Sequence, residues 1–192
     1  MKKNMFYGVL GGLAIIVVLF IYYNNLDRKK IILSKSDELI LKWIGKEINL
    51  VDTLSVYDVR DNTFYKFDKL QLNSKKIAIY IDSNCFTCVE DFVRWKKIIE
   101  DLRHTDIQLL FYLHTTDFEQ VKKYLLRWRF NYPVIIDRSN TFFNVNKISD
   151  KNLYKAMLLD KDNKVQIIGN PIISKEIKEL YLEEIQKTVK GE

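Results

Sequence analysis

Histidine and cysteine are scarce in this 192-residue chain: two histidines, His104 and His114, and two cysteines, Cys85 and Cys88. Both cysteines fall in one C-x-x-C, so a zinc site built on them would need two more nitrogen or sulfur ligands, and the two histidines are the other candidates. Blocks of like charge are also missing, since the 29% charged residues are spread along the chain. The net charge of +6 falls to +4, 29 basic against 25 acidic residues, once Lys2 and Lys3 are assigned to a membrane flank. Nucleic-acid binding is therefore not expected, and Lys75-Lys76, Lys96-Lys97, Arg127 and Arg129 read as solvated faces. Internal repeats and low-complexity linkers are absent, and Pro133 and Pro171 are the only prolines. What is abundant is apolar: 47% hydrophobic and 13% aromatic residues exclude a disordered chain. Beyond the first 30 residues there is length for one domain with its own core.

Met5 to Tyr23 carries no charge and is framed by Lys2 and Lys3 before it and by Asp27, Arg28, Lys29 and Lys30 after it. At about 1.5 Å per residue a helix of that length just spans a bilayer core. The run ends in Phe20, Ile21, Tyr22, Tyr23 and Asn24 rather than in a small-x-small cleavage site, so it reads as an uncleaved anchor. Tyr22 and Tyr23 stand where an interfacial aromatic belt would be. Gly8 and Gly12 form a G-x-x-x-G pair, the spacing that packs two anchors into a homodimer. The domains expected are thus an anchor over 1–30, a linker with a short helix over 31–47 and a folded domain over 48–192.

Ser34 to Ile44 has a capping-box start at Ser34 and Asp37, one apolar face, and Gly45 to end it. Residues 48–70 alternate in short stretches that predict one or two edge strands. Lys76 to Asp82 is a compact apolar strand, and Val89, Phe92, Val93, Trp95, Ile98, Ile99 and Leu102 follow at helical spacing, so a strand runs directly into a helix at Cys85. Ile107 to Leu113 is a second strand, Thr116 with Glu119 opens another helix, and Tyr132 to Asp137 is a third strand. Lys161-Asp162-Asn163 reads as a hairpin turn, and Ser174 caps a last helix with Ile177, Leu180, Tyr181 and Ile185 inward. The order is that of an α/β fold with a mixed sheet flanked by helices.

A C-x-x-C at a strand-to-helix junction has a chemical reason. Unsatisfied N–H groups at a helix start favour a thiolate, which makes Cys85 the nucleophile, and Cys88 three residues on is placed to resolve a mixed disulfide. A static disulfide or half a zinc site are the other readings of the pair, although a disulfide closing so short a loop stabilises little. Phe86 and Thr87, between the sulfurs, are expected to tune the reduction potential. His104 and His114 read as solvent-facing or packing residues.

With these residues in view the chain resembles the thioredoxin superfamily, in particular the membrane-anchored TlpA and ResA branch, related to the AhpC/TSA redoxins. The resemblance covers roughly 44–190. Gly45-Lys46-Glu47-Ile48 is similar to the opening segment of that branch, Tyr80-Ile81-Asp82-Ser83-Asn84-Cys85-Phe86-Thr87-Cys88 to its active-site strand and motif, and Tyr132-Pro133-Val134-Ile135-Ile136-Asp137 to its insert strand. Met157 to Val165 is similar to its closing hairpin. The resemblance implies thiol-disulfide exchange with protein substrates, as a reductant, with Cys85 nucleophilic, Cys88 resolving, a separate redox donor and no cofactor or metal. It departs in one place: the family's cis-proline before the hairpin strand aligns with Tyr154, and with Lys155, Phe86 and Thr87 that residue is a substrate-groove candidate. If loss of proline limits partner binding, Tyr154→Pro would raise exchange; a loop built around tyrosine would be damaged. The family's buried acid has no clear counterpart, and Glu90 and Asp91 read as ordinary first-turn residues. Its peroxidases place Thr three residues before the reactive cysteine, where this chain has Asp82, so peroxidase activity is not expected. A tethered interaction module without redox turnover is the competing expectation.

The short N-terminal tail favours an N-in anchor, which leaves the domain on the outer, periplasmic face of a bacterial cytoplasmic membrane. When protease is added to cells with a permeabilised outer membrane, residues 31–192 should be cut together with an outward-facing control. Their survival while the control is cut reverses the orientation.

Overall fold

The computed structural model describes residues 40–189 apart from 71 and 73. The expected membrane span over 5–23, the glycine pair and most of the helix over 34–44 lie outside the described residues. Among the described residues no helix is long and apolar enough to cross a membrane.

Seven strands form one mixed sheet: β1 (Ser55–Asp58), β2 (Thr63–Lys66), β3 (Lys76–Asp82), β4 (Gln108–His114), β5 (Val134–Asp137), β6 (Ala156–Leu159) and β7 (Val165–Ile168), in the order β2-β1-β5-β4-β3-β6-β7. The three inner strands β3, β4 and β5 are parallel, and the pairs outside them are antiparallel. Of the strands expected over 48–70, only β2 is an edge; β1 lies inside, between β2 and β5. The outer side of β7 is met at its first residue by the segment entering the domain, through Gly45 N–H to the Val165 carbonyl (2.8 Å) and Val165 N–H to the Lys46 carbonyl (3.0 Å), and Ile48 N–H donates to the Asn163 carbonyl in the preceding turn (2.9 Å). The hairpin read at Lys161-Asp162-Asn163 joins β6 and β7, with Asn163 at φ +63°. Lys76, fully buried, ties that turn to β3 by donating to the carbonyls of Asp160 and Lys161 and to Asn163 Oδ1.

Following β1 among the described residues are five α-helices: α1 (Phe86–Val89), α2 (Asp91–Leu102), α3 (Phe118–Arg127), α4 (Thr141–Asn146) and α5 (Lys175–Val189). Alternation puts Ile77, Ile79, Ile81 and Phe111 on one sheet face, where Phe92, Trp95 and Leu125 meet them in the main core. Trp95 is fully buried and its indole nitrogen finds no acceptor, so it is held by packing, and truncation to alanine would cost about 3–5 kcal/mol. The amphipathic readings fail at two positions. Val93 is 46% and Leu180 52% exposed, because the apolar stripe of each helix is narrower than the run of apolar letters. The helix expected from Thr116 begins later, since Asp117, not Thr116, accepts the Gln120 N–H (3.1 Å) and caps α3. The Ser174 cap is present on α5, accepting the Ile177 N–H.

Two elements have no apolar period to announce them: α4, and a 3-10 turn over Asn152–Tyr154. α4 is started by the fully buried carboxylate of Asp137 at the end of β5, which accepts the N–H groups of Thr141 (2.8 Å) and Phe142 (2.7 Å). Phe142 stacks on Tyr112 at 3.7 Å between ring centroids. Asn140 turns through the left-handed region at φ +56° and accepts the Tyr80 hydroxyl. Asp137→Ala leaves one buried and one part-buried donor without acceptors and should cost about 2–4 kcal/mol in a urea titration, with Asp137→Asn losing less. A loss under about 1 kcal/mol would mean that α4 is held by its apolar contacts alone.

Candidate redox site

The C-x-x-C stands at the C-terminal end of β3, where that strand stays paired with β4 to its last residue while β6 stops opposite Ile79. The chain turns there on Ser83 N–H to the His114 carbonyl (2.9 Å) and Asn84 N–H to Asp82 Oδ1 (3.0 Å). The single turn α1 follows, and the expected continuous helix is interrupted at Glu90 before α2. A four-residue helix has little macrodipole, so the help expected from the helix start comes here from local hydrogen bonds, the Cys88 N–H among them.

The two sulfurs differ sharply. Cys85 is partly exposed and Cys88 is 7% exposed; both are free thiols. Hydrogen bonds from the Cys88 thiol and then from the Thr87 hydroxyl, whose Oγ1 lies 3.0 Å from Cys85 Sγ, hold the Cys85 thiol below its ordinary value, with help from the Cys88 N–H and the Lys155 charge. Burial, reinforced by the hydrogen bond to Cys85, pushes the Cys88 thiol up to about 12, against the pull of Lys155.

Asp91, read from sequence as an ordinary first-turn residue, lies with 15% of its side chain exposed and bonds Arg94 (3.2 Å). Burial raises its carboxyl above the usual range while Arg94 and Lys155 pull it down, and its charge acts on Cys88. The available signal was its position three residues beyond Cys88, one helical turn away. Lys155 is the second convergent charge: it acts on both thiols and on Asp91, and its Nζ lies 5.6 Å from the centre of the Tyr80 ring. Tyr80 is in turn fixed by Asn140 and by a tilted contact with Phe143 at 5.1 Å.

Of the other groove candidates, Thr87 is exposed and Phe86 opens α1, its side chain lying outside the described part. Tyr154 is only 6% exposed and belongs to the 3-10 turn rather than to an open wall. No described peptide bond is cis. The turn uses its own backbone: Tyr154 N–H donates to the Lys151 carbonyl (2.9 Å), and Asn170 N–H donates to the Leu153 carbonyl (2.6 Å). His114 meets the Asp137 carbonyl through Nδ1 (3.0 Å), and His104 lies in an exposed turn beside Arg103. Among the described residues no three His, Cys, Asp or Glu side chains gather where they could hold a metal ion.

Proline at 154 would remove the N–H bonded to Lys151 and push Leu153 out of its helical conformation. Tyr154→Pro is therefore expected to destabilise the chain by about 2–3 kcal/mol and to lower any disulfide-exchange rate measured at matched folded fraction. A gain in rate would mean that the turn rearranges to the proline-bearing form.

No family model matches the sequence, and no curated protein matches it. Likeness appears in three dimensions. A structure from Chlorobium tepidum assigned as a thiol:disulfide interchange protein DsbE superposes with a TM-score of 0.56 at 13% identity, over 74% of this chain and 97% of its own. The thioredoxin domain of a thiol-disulfide oxidoreductase from Bacteroides vulgatus gives 0.53 at 8% identity, covering 71% and 96%. An exposed lipoprotein thioredoxin from Streptococcus pneumoniae gives 0.50 at 17%, covering 68% and 97%. Nearly the whole of each of these chains is matched, and the described domain has the thioredoxin fold.

Proposed function

We propose that the chain is a membrane-tethered thiol-disulfide oxidoreductase that reduces protein disulfides outside the cytoplasm, with Cys85 as nucleophile and Cys88 as resolving thiol. The observation that carries this reading is the asymmetry of the pair: a partly exposed sulfur held low by hydrogen bonds beside a buried one pushed up to about 12. The fold shared with thiol-disulfide oxidoreductases supports it, as does the uncharged N-terminal run for the tether. Substrates are proteins carrying disulfides, and a separate dithiol donor restores the reduced pair.

In the first step the Cys85 thiolate attacks one sulfur of the substrate disulfide, forming a mixed disulfide and releasing the other substrate sulfur as a thiolate. Cys88 then loses its proton and attacks Cys85 Sγ, which closes the Cys85–Cys88 disulfide and releases the second substrate sulfur, so two electrons leave the protein. Order is built in. Burial keeps the Cys88 thiol protonated at neutral pH, so it does not compete as the first attacker. Once Cys85 is in the mixed disulfide, its charge and its hydrogen bond no longer hold Cys88 up, while Lys155 still favours the thiolate. Asp91 is a candidate acceptor for the Cys88 proton.

A module that binds without turnover is the second reading, favoured by the 3-10 turn whose backbone is already bonded where a thioredoxin offers main chain to its partner. One experiment separates the two. In membranes carrying full-length Cys88→Ser, adducts that disappear with reductant should accumulate on non-reducing gels, and Cys85→Ser should trap almost none. In the wild-type chain Cys85 should alkylate well below pH 8 and Cys88 slowly throughout. Equal trapping by both variants, or two thiols that titrate like free cysteine, would leave the binding module as the better reading.

A further inference from the structure

Residues 120–136 contain no acidic side chain, and Lys122, Lys123, Arg127 and Arg129 all fall among them. α3 closes there on a two-bond turn, Arg129 N–H to the Leu126 carbonyl (3.1 Å) and Phe130 N–H to the Leu125 carbonyl (2.9 Å), with Arg129 at φ +52°. Glycine is the ordinary residue at that left-handed position, so the backbone gives no reason for an arginine. Lys123 and Arg127 stand one turn apart, a like-charge pair that weakens a helix, and Leu126 beside them is 47% exposed. The helix dipole accounts for one cation in the last turn, Arg127, and not for all three. Glu119, one turn before Lys123, is the nearest carboxylate along α3, yet among the described residues Lys123, Arg127 and Arg129 enter no ion pair. Lys96 of α2 joins the group by donating to the Trp128 carbonyl (2.8 Å), and Trp128 stacks on Tyr124 at 5.3 Å, both rings half-buried.

α3 begins beyond the C-terminal end of β4 and finishes before the start of β5, and β3, β4 and β5 are parallel, so its last turn lies at the end of the sheet away from Cys85. The chain enters the domain at that same end: Gly45 and Lys46 bond Val165, whose partner Leu159 pairs with Lys76, the first residue of β3. We propose that this end docks on the anionic phospholipid surface of the membrane that holds the anchor, with Lys123, Arg127 and Arg129 over the phosphates and Leu126 and Trp128 at the interface. The inference rests on the tethered reading above and adds the face that meets the lipid. Guanidinium groups pair with phosphate oxygens two at a time, and indole rings settle at headgroup level. The tether holds the domain at an effective concentration on the order of millimolar, so a contact too weak to recruit a free protein is enough. Docked in this way, Cys85 stands about 20 Å farther from the bilayer, the rise of the seven residues of β3. The disulfides within its reach are then those of proteins in the aqueous space, not those inside the bilayer.

The test uses the full-length chain in vesicles of phosphatidylcholine, with or without about 30% phosphatidylglycerol, whose acyl chains are brominated near the headgroup. Trp128 is read as the difference in quenching between the wild type and Trp128→Phe. Its quenching should be about threefold or more stronger with phosphatidylglycerol than without, and about 0.5 M salt should remove the difference. Lys123→Gln, Arg127→Gln and Arg129→Gly combined should bring it down to the phosphatidylcholine level, the glycine keeping the turn after α3 intact. If the chain floats with the vesicles but Trp128 is not quenched, or is quenched regardless of phosphatidylglycerol or of the triple variant, the docking is overturned while the tether stands, and the face is left to an acidic protein partner. A chain that does not float with the vesicles overturns the tethered reading and the docking with it.

Discussion

The site depends on an uneven pairing of the central strand. β3 is bonded to β4 along all of its length, but to β6 only as far as Ile79, with one more bond from Tyr80 N–H to the Lys155 carbonyl (2.8 Å). One edge of the strand end is therefore closed and the other open. The closed edge fixes the turn that presents Cys85; at the open edge Lys155, between the 3-10 turn and β6, acts on the thiols. A sheet paired to the end on both sides would bury the motif, and one frayed on both sides would leave the two sulfurs without a defined spacing.

The polar groups around that opening are connected in series. Asp137 starts α4, Asn140 just before α4 holds the Tyr80 hydroxyl, the Tyr80 ring lies under the Lys155 ammonium, and the ammonium acts on both sulfurs. Each link is an ordinary hydrogen bond or ring contact of modest strength. Together they convert backbone capping on one side of the sheet into electrostatics at the thiols.

Much of this was legible in the sequence where one physical signal dominated. The inner strands are continuous apolar runs because both faces are covered, and the hairpin at Lys161-Asp162-Asn163 announces itself by turn residues, with Asn163 in the left-handed conformation. The pattern could not show that Asp91 and Lys155, 64 positions apart, converge on Cys88, because that depends on where β6 stops. α4 escaped for a different reason: six residues held by a buried carboxylate and a stacked ring carry no period of their own. The break at Glu90 has no helix-breaking residue to mark it, and Glu90 itself keeps a right-handed helical conformation, φ −62° and ψ −18°.

The segment over 45–47, read from sequence as the end of a linker, is physically an outer rail of the sheet, bonded to Val165 and bridged to Lys164. A chain shortened to begin at Ile48 would keep the buried core and yet free the backbone of Val165 at the start of β7, leaving a raw edge able to recruit a second sheet. The domain thus begins, in the sense that matters for solubility, before its hydrophobic core does, and whatever pulls on the residues preceding Gly45 pulls on the hydrogen bonds that keep the sheet to itself.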